Sequence, residues 1–177
     1  MDLQLRGIER HEVAAAVALI EESTLTPGVE DPSRLDEYWE AVLETRRRRG
    51  EVLVALVDAE VVGMCHVIVF QHFQHSAGWC CELETVYVRS DLRSRGIGGA
   101  MLAWAEDFAR ARGCYRVQLA SRNPRLEAHR FYRERGYEQN SQGFKKLLVD
   151  EDLAQVPVVD VEDEAAHLGG VDEGAGA

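Results

Sequence analysis

Two features of the sequence predict an α+β fold built on a mixed, mainly antiparallel sheet of six to seven strands flanked by about four helices. The first is three β-rich runs in succession, Val52–Val57, Val61–Phe70 and Trp79–Val88, joined by short polar links in the manner of an antiparallel meander. The second is a change of rhythm after Val88: the strand gives way to a glycine-rich loop, a helix and another strand. That order is a βαβ unit, whose two strands run parallel.

Each element has its own signal. Leu3 and Leu5 alternate as a short opening strand, and His11–Ser23 carries helical periodicity. Pro27, Gly28 and Pro32 break the chain before a second helix from about Leu35 to Arg48. The basic run Arg46–Arg49 complements the negative end of that helix's dipole, and its four arginines are too few for a DNA footprint. Asp58, Ala59 and Glu60 separate the first two β runs as a tight hairpin loop, and the polar Gln71–Gly78 leads into the third. Beyond the meander, the loop Arg93–Gly98 opens a helix, Ile97–Arg112, stopped by Gly113, and a strand follows at Arg116–Ala120. A short helix, Leu126–Arg135, ends at Gly136, and two closing strands are expected from Tyr137 onward, the second covering Phe144–Val149.

At 177 residues the chain suits one compact domain, and no apolar run approaches the roughly 20 residues of a membrane span. The apolar stretch Val13–Ile20 is followed directly by Glu21 and Glu22 with no small-residue cleavage site, so it reads as a helix face, and a cytoplasmic protein is expected. Net charge is −11, but nine acids and no base lie from Asp150 onward, leaving 22 acids against 20 bases before them. The organisation expected is a domain over residues 1–149 and an acidic tail over 150–177. That tail, glycine-rich and without aromatics, is expected to be disordered. A near-neutral body with an acidic tail argues against a nucleic-acid partner despite 18 arginines. Cys65, Cys80, Cys81 and Cys114 include no CxxC pair and read as reduced, buried thiols. His66, His72 and His75 fall within ten residues, yet no carboxylate or thiolate stands at ligand spacing, and no metal is expected.

The segment Arg93-Ser94-Arg95-Gly96-Ile97-Gly98-Gly99 is short, basic and glycine-rich, and it joins a strand to a helix. Unpaired N–H groups and the helix dipole at such a junction attract phosphate, and Gly96 and Gly98 allow close backbone approach. No Lys-Ser/Thr pair follows, as a Walker loop requires, and the third glycine of a GxGxxG dinucleotide loop is missing. A different pyrophosphate-bearing ligand is implied.

These residues resemble the GNAT N-acetyltransferase superfamily, whose acetyl-CoA loop reads Arg/Gln-x-x-Gly-x-Gly/Ala. Arg93-x-x-Gly96-x-Gly98 fits it, preceded at the usual distance by the strand Leu83–Val88. A second block, Ala128-His129-Arg130-Phe131-Tyr132-Arg133-Glu134-Arg135-Gly136-Tyr137, is similar to the family's Ala-x-x-Phe-Tyr-x-x-x-Gly-Phe/Tyr segment. The resemblance covers about residues 3–149. It implies acetyl-CoA as co-substrate, held by Arg93, Ser94, Arg95, Gly96, Ile97, Gly98 and Gly99 and by the free edge of Val86, Tyr87 and Val88. The family often has Asn seven positions before the Tyr. Here that position is Arg125, with Asn123 two residues earlier, and either is a candidate for contact with CoA.

The implied reaction is attack of an amine on the thioester. A lysine-like ammonium, with a pKa of about 10.4, must first lose a proton, and the family often uses a carboxylate on the strand before the loop. Glu82, eleven residues before Arg93, is at the common position, and Glu84 shares its face by alternation. Repulsion between two carboxylates on one half-buried face would raise the pKa of one of them. Tyr132 stands where the family places the acid that protonates the departing thiolate, and a backbone N–H of Val86–Val88 would polarise the thioester oxygen. The acceptor is expected to be a small-molecule amine or a peptide or protein amine. Its pocket is expected in Ser23–Leu35 and Gln71–Gly78, with Trp39, His72, Phe73 and Trp79 as candidate linings. Dimerisation is common in the family, so a homodimer is an assembly state the resemblance allows. The alternative function is a non-catalytic acyl-CoA sensor or interaction module on the same fold.

Removal of residues 152–177 is expected to change the free energy of unfolding by no more than about 0.5 kcal/mol in urea denaturation, with acetyl-CoA affinity retained. A loss of several kcal/mol would mean that the tail docks on the domain.

Overall fold

The computed structural model describes residues 2–24, 28–146 and 148. The chain divides into two units, Met1–Phe144 and Lys145–Ala177, and the expected acidic tail over 150–177 lies outside the described residues. Alternating apolar residues build a five-stranded sheet from β1 (Leu3–Gly7), β2 (Glu51–Val57), β3 (Glu60–Gln71), β4 (Trp79–Val88) and β5 (Cys114–Leu119), ordered β1-β2-β3-β4-β5. Neighbours are antiparallel as far as β4, and β4 with β5 is parallel, as the βαβ pattern predicts. Four longer helices accompany the sheet: α1 (Val13–Ser23), α2 (Leu35–Arg47), α3 (Ile97–Ala111) and α4 (Leu126–Arg133).

The sheet is covered on both faces, and β2 shows how. Its residues Val52–Leu56 are all buried, but they alternate between two cores. Leu53 and Ala55 pack with Ile97, Met101, Leu102 and Ala105 of α3, whereas Val52, Val54 and Leu56 pack with Val13, Ala16 and Val17 of α1 and Val42 of α2. Period-2 chemistry thus feeds two helix-covered layers from one strand. The β2–β3 turn is a two-residue loop in which Asp58 (φ 51°) and Ala59 (φ 65°) are both left-handed, the geometry that matches strand twist in a tight hairpin. The basic run at the end of α2 is spent on local partners. Arg47 and Arg48 pair with Glu44, and Arg46 pairs with Glu51 at 2.9 Å.

The two closing strands expected after Tyr137 are not formed among the described residues, in which the sheet has five strands rather than six or seven, and Leu147 and Val149 of the second lie outside those residues. The run Glu138-Gln139-Asn140-Ser141-Gln142-Gly143 is irregular and offers no apolar side chain to bury, and Phe144 is 95% exposed. Without burial, nothing offsets the entropy of ordering a strand.

One irregularity shapes the rest of the molecule. Along β3 and β4, Met64 pairs with Tyr87 and His66 with Glu84, so Thr85 and Val86 together oppose Cys65. This is a β-bulge, and Thr85 takes φ 53°, a conformation unusual for a β-branched residue. The extra residue shifts the alternation. Leu83 and Val86, three apart, both pack in the α3-side core, while Tyr87 joins the α1/α2 side.

At the start of α1, Glu12 is only 5% exposed and accepts hydrogen bonds from Arg6 Nη1 and Nη2 (2.9 and 2.7 Å) and from the Glu9 N–H (2.8 Å). Burial pushes its carboxyl pKa up, but the Arg6 and backbone hydrogen bonds outweigh this and hold it below the ordinary value. A lowered carboxylate pKa contributes stability that is complete above the unfolded pKa, about 4.3, and is lost as pH falls through the folded value. Glu12→Gln is therefore expected to cost about 1–3 kcal/mol in urea unfolding at neutral pH, with the gap to wild type closing toward about pH 3. A gap independent of pH would contradict the ion-pair account.

Candidate functional site

The glycine loop leaves β4 and turns into α3 through two left-handed residues, Ser94 (φ 60°) and Gly96 (φ 87°). The first bond of the helix runs from Ala100 N to Gly96 O at 3.0 Å. The N–H groups of Ile97, Gly98 and Gly99 therefore have no intrahelical acceptor. No acidic residue lies in the first turn to neutralise them, and Arg93 and Arg95 flank the loop as exposed cations. Arg93 also fastens the loop to the strand end, its Nε donating to Val88 O at 3.0 Å. Fully buried Ile97 anchors the helix start to the core. Such a cradle suits an anion.

The two loop glycines have different reasons to be glycine. Gly96 needs its positive φ and has open space around it. Gly98 is small because α4 packs on it: a Cβ there would meet Phe131 Cζ at 3.2 Å and Val88 Cγ2 at 3.7 Å. Gly98 thus also makes a close approach to an aromatic ring of the second motif.

β4 and β5 pair only from Trp79/Cys114 to Leu83/Leu119. From Glu84, just before the bulge, to Val88, β4 has no β5 partner, so Val86, Tyr87 and Val88 present a backbone edge toward the gap between the strands. Glu82 and Glu84 precede the bulge and share a face, opposite Ile68 and His66 of β3. Glu82 is half-buried and accepts a hydrogen bond from Gln118 Nε2 of β5 at 3.2 Å, whereas Glu84 is exposed beside the bulge.

Tyr132 comes from the other side, on α4. It is half-buried against the α3-side core, with its ring 5.2 Å from that of Phe131 and 5.8 Å from that of Tyr137. Its hydroxyl makes no hydrogen bond among the described residues and is not one of the fully enclosed oxygens. Burial, with the fields of Cys65 and Glu84, pushes the phenol up to about 12, and Arg125 pulls the other way. Tyr132 therefore lies within electrostatic reach of both Glu84 and Arg125. Arg125 caps α4, donates from Nη2 to Ser23 O at 2.8 Å and stands 5.4 Å from the ring centroid of Tyr87. Asn123 is exposed and makes no side-chain hydrogen bond among the described residues.

The aromatic candidates do not converge on this point. Trp79 begins β4, about 17 Å of strand before Glu84, and carries Arg49 over its ring at 4.0 Å. The His72 ring lies edge-on to His75 and tilted against Tyr115 in that same region, Phe73 projects fully into solvent, and Trp39 packs on the α1/α2 core. His66 meets Thr45 Oγ1 at 2.9 Å, and no group of three metal-ligating side chains occurs among the described residues. No helix among them is long and apolar enough to cross a membrane. All four cysteines are free, with Cys114 only half-buried. Sequence reasoning missed Gln118 and the bulge, and it placed Ser23 in an acceptor segment without its contact to Arg125. Gln118 is visible only once β5 lies beside β4, the Ser23 contact only once α1 meets α4, and the bulge at Thr85 has no local turn signal.

A family model described as Acetyltransferase (GNAT) family matches residues 15–137. The aminoalkylphosphonate N-acetyltransferase of Salmonella typhimurium is 39% identical over 95 residues, which are 54% of this chain and 61% of that enzyme. The chain thus spans less than two-thirds of that relative's length. The glucosamine 6-phosphate N-acetyltransferase of Trypanosoma brucei brucei is 24% identical over 140 residues, 77% of this chain and 90% of that enzyme. Among solved structures, a transcriptional regulator from Bacillus halodurans superposes with a TM-score of 0.76 at 26% identity, over 82% of this chain and 99% of that one.

Acetyl-CoA is expected to raise the melting temperature of the wild type, because a ligand that binds only the folded state stabilises it. Gly98→Val should abolish that shift and also lower the stability of the free protein by about 1–3 kcal/mol, through overpacking against Phe131. A variant with wild-type stability and a retained shift would contradict the assignment of the loop.

Proposed function

The chain belongs to the GNAT acetyltransferase family, and on that premise we propose that it transfers the acetyl group of acetyl-CoA to the amine of a small molecule. The observation that carries the proposal is the adjacency of two sets of unpaired backbone donors. The N–H groups at the start of α3 suit a pyrophosphate, and the β4 edge past the end of β5 suits the amides and thioester that follow it in acetyl-CoA. In this reading Arg93, Ser94, Arg95, Gly96, Ile97, Gly98 and Gly99 hold the phosphates, and Val86–Val88 hold the pantetheine arm.

In the proposed reaction the amine nitrogen forms a bond to the thioester carbon and the carbon–sulfur bond breaks. A carboxylate on the shared face of β4, Glu82 or Glu84, takes the proton lost by the amine, directly or through a water. Tyr132 donates a hydrogen bond to the departing sulfur. Its raised pKa keeps the phenol protonated across the pH range in which an amine becomes nucleophilic. For a thiol with a pKa of about 8.5, full transfer from such a phenol is uphill by several kcal/mol, so Tyr132 stabilises sulfur charge, and the proton balance closes with the one released by the amine. Small-molecule acceptors are favoured because the two named relatives act on small amines, an aminoalkylphosphonate and glucosamine 6-phosphate.

Release of CoA thiol with a panel of small amines tests the reading, and a protein that binds acetyl-CoA but turns over none of them would be a sensor. Tyr132→Phe removes only the hydroxyl, so acetyl-CoA affinity should hold while the single-turnover rate falls about 10²- to 10⁴-fold. Wild-type rate should show no falling limb from Tyr132 below about pH 11, given a phenol pushed up to about 12. An unchanged rate in folded Tyr132→Phe would reduce Tyr132 to a packing residue.

A further inference from the structure

Half of the eighteen arginines of this chain have no carboxylate partner among the described residues, and of those only Arg112, which donates to the carbonyls of Arg49 and Phe108, and Arg125 are half-buried. Arg6, Arg10, Arg34, Arg46, Arg47, Arg48, Arg89, Arg110 and Arg130 all have carboxylate partners. Arg125 is half-buried and has none among the described residues, although the chain as a whole is strongly acidic. It makes a single hydrogen bond, to the Ser23 carbonyl, and stands over the face of Tyr87. A partly desolvated charge is costly without a counter-ion, and a guanidinium with spare parallel N–H groups is shaped for a tetrahedral oxyanion. A second observation points the same way. Ser23, whose carbonyl holds Arg125, is 8% exposed, and its Oγ is buried with no hydrogen-bond partner. The residue whose carbonyl holds Arg125 thus carries an unsatisfied hydroxyl of its own, and an unsatisfied buried polar group calls for a partner.

We propose that Arg125, with the Ser23 hydroxyl, binds the phosphonate or phosphate group of the acceptor, so that the acceptor is a small amine with that oxyanion a short distance from its nitrogen. The proposal rests on the acetyltransferase reading and reassigns Arg125 from CoA to the acceptor. The geometry supports a short spacing. Glu84 stands on β4 three residues before Tyr87, whose ring Arg125 faces, so the proposed oxyanion site and a carboxylate suited to an ammonium lie on neighbouring parts of one strand. Tyr87, turned to the α1/α2 side by the bulge, supplies the flat surface against which the guanidinium lies. Ser23 ends α1, within one of the two segments expected to select the acceptor.

The test compares an aminoalkylphosphonate with an alkylamine of the same length as acceptors, for wild type, Arg125→Met and Arg125→Lys, each verified as folded by its melting transition. Arg125→Met is expected to lower kcat/KM for the phosphonate about 10- to 100-fold more than for the alkylamine, mainly through the acceptor KM, with partial recovery in Arg125→Lys. The KM for acetyl-CoA should move far less than that for the phosphonate. Equal losses on both acceptors would reduce Arg125 to a structural role, and a rise confined to the acetyl-CoA KM would return it to the CoA site. Either result overturns the proposal. Calorimetric titration with the aminoalkylphosphonate alone separates the two readings. Binding to wild type that is lost in Arg125→Met, in a protein with no turnover, supports the oxyanion site and refutes the acetyltransferase reading. No binding to wild type refutes the site.

Discussion

The functional end of the molecule depends on a single backbone event, the left-handed turn of Thr85 within β4. For a residue with a Cβ, that conformation costs about 1–2 kcal/mol, and a β-branched residue makes it rarer still. It is held because both sides of the strand are committed. Leu83 below the bulge and Val86 and Val88 above it lock into the α3-side core, while Tyr87 is taken by the opposite face. β4 parts from β5 after Leu83, leaving its last five residues without β5 partners, and the shifted alternation turns Tyr87 toward Ser23 and Arg125. The strained residue thus lies where β4 has run past the end of β5, and the shifted alternation builds one wall beside that gap.

Helix α3 supplies the complementary part. It follows β4 across the turn Ser90–Leu92 and the glycine loop, and it has three unpaired N–H groups, no acid in its first turn and two exposed arginines in the loop before it. α4 then closes on the loop through Phe131, whose ring fills the space that Gly98 leaves, and this contact sets where Tyr132 enters. The two sequence motifs are thus coupled physically: the smallness of Gly98 and the bulk of Phe131 are one packing solution. Charge is distributed in the same sense, with cations at the loop and at Arg125 and the carboxylates Glu82 and Glu84 on the strand between them.

Much of this was legible in the sequence, for identifiable reasons. The meander, the parallel β4–β5 pair and the α3 boundaries followed from apolar periodicity and from glycine at the helix ends, which are local signals. The closing strands expected after Tyr137 do not form among the described residues because Glu138–Gly143 has nothing to bury. The loop and Tyr132 were legible through their motifs, yet the packing reason for Gly98 was not, since Phe131 lies 33 positions away in the sequence. Thr85 gave no warning because threonine favours extended strand, and only the register against β3 reveals the extra residue. Trp39, His72, Phe73 and Trp79 were plausible as an acceptor pocket by composition alone. The direction of β4 puts Trp79 at its far end, and the partners gathered near Tyr132 are Ser23, Glu84, Tyr87 and Arg125.

The central claim is that the unpaired β4 edge and the start of α3 form one continuous binding surface for acetyl-CoA. Backbone amide chemical-shift mapping during an acetyl-CoA titration tests it most directly, because it reads the individual N–H groups. The account predicts that the amides of Val86–Val88 and of Ile97–Gly99 move together along one saturation curve. Shifts confined to other surfaces, or a loop response that leaves Val86–Val88 unmoved at saturation, would contradict it.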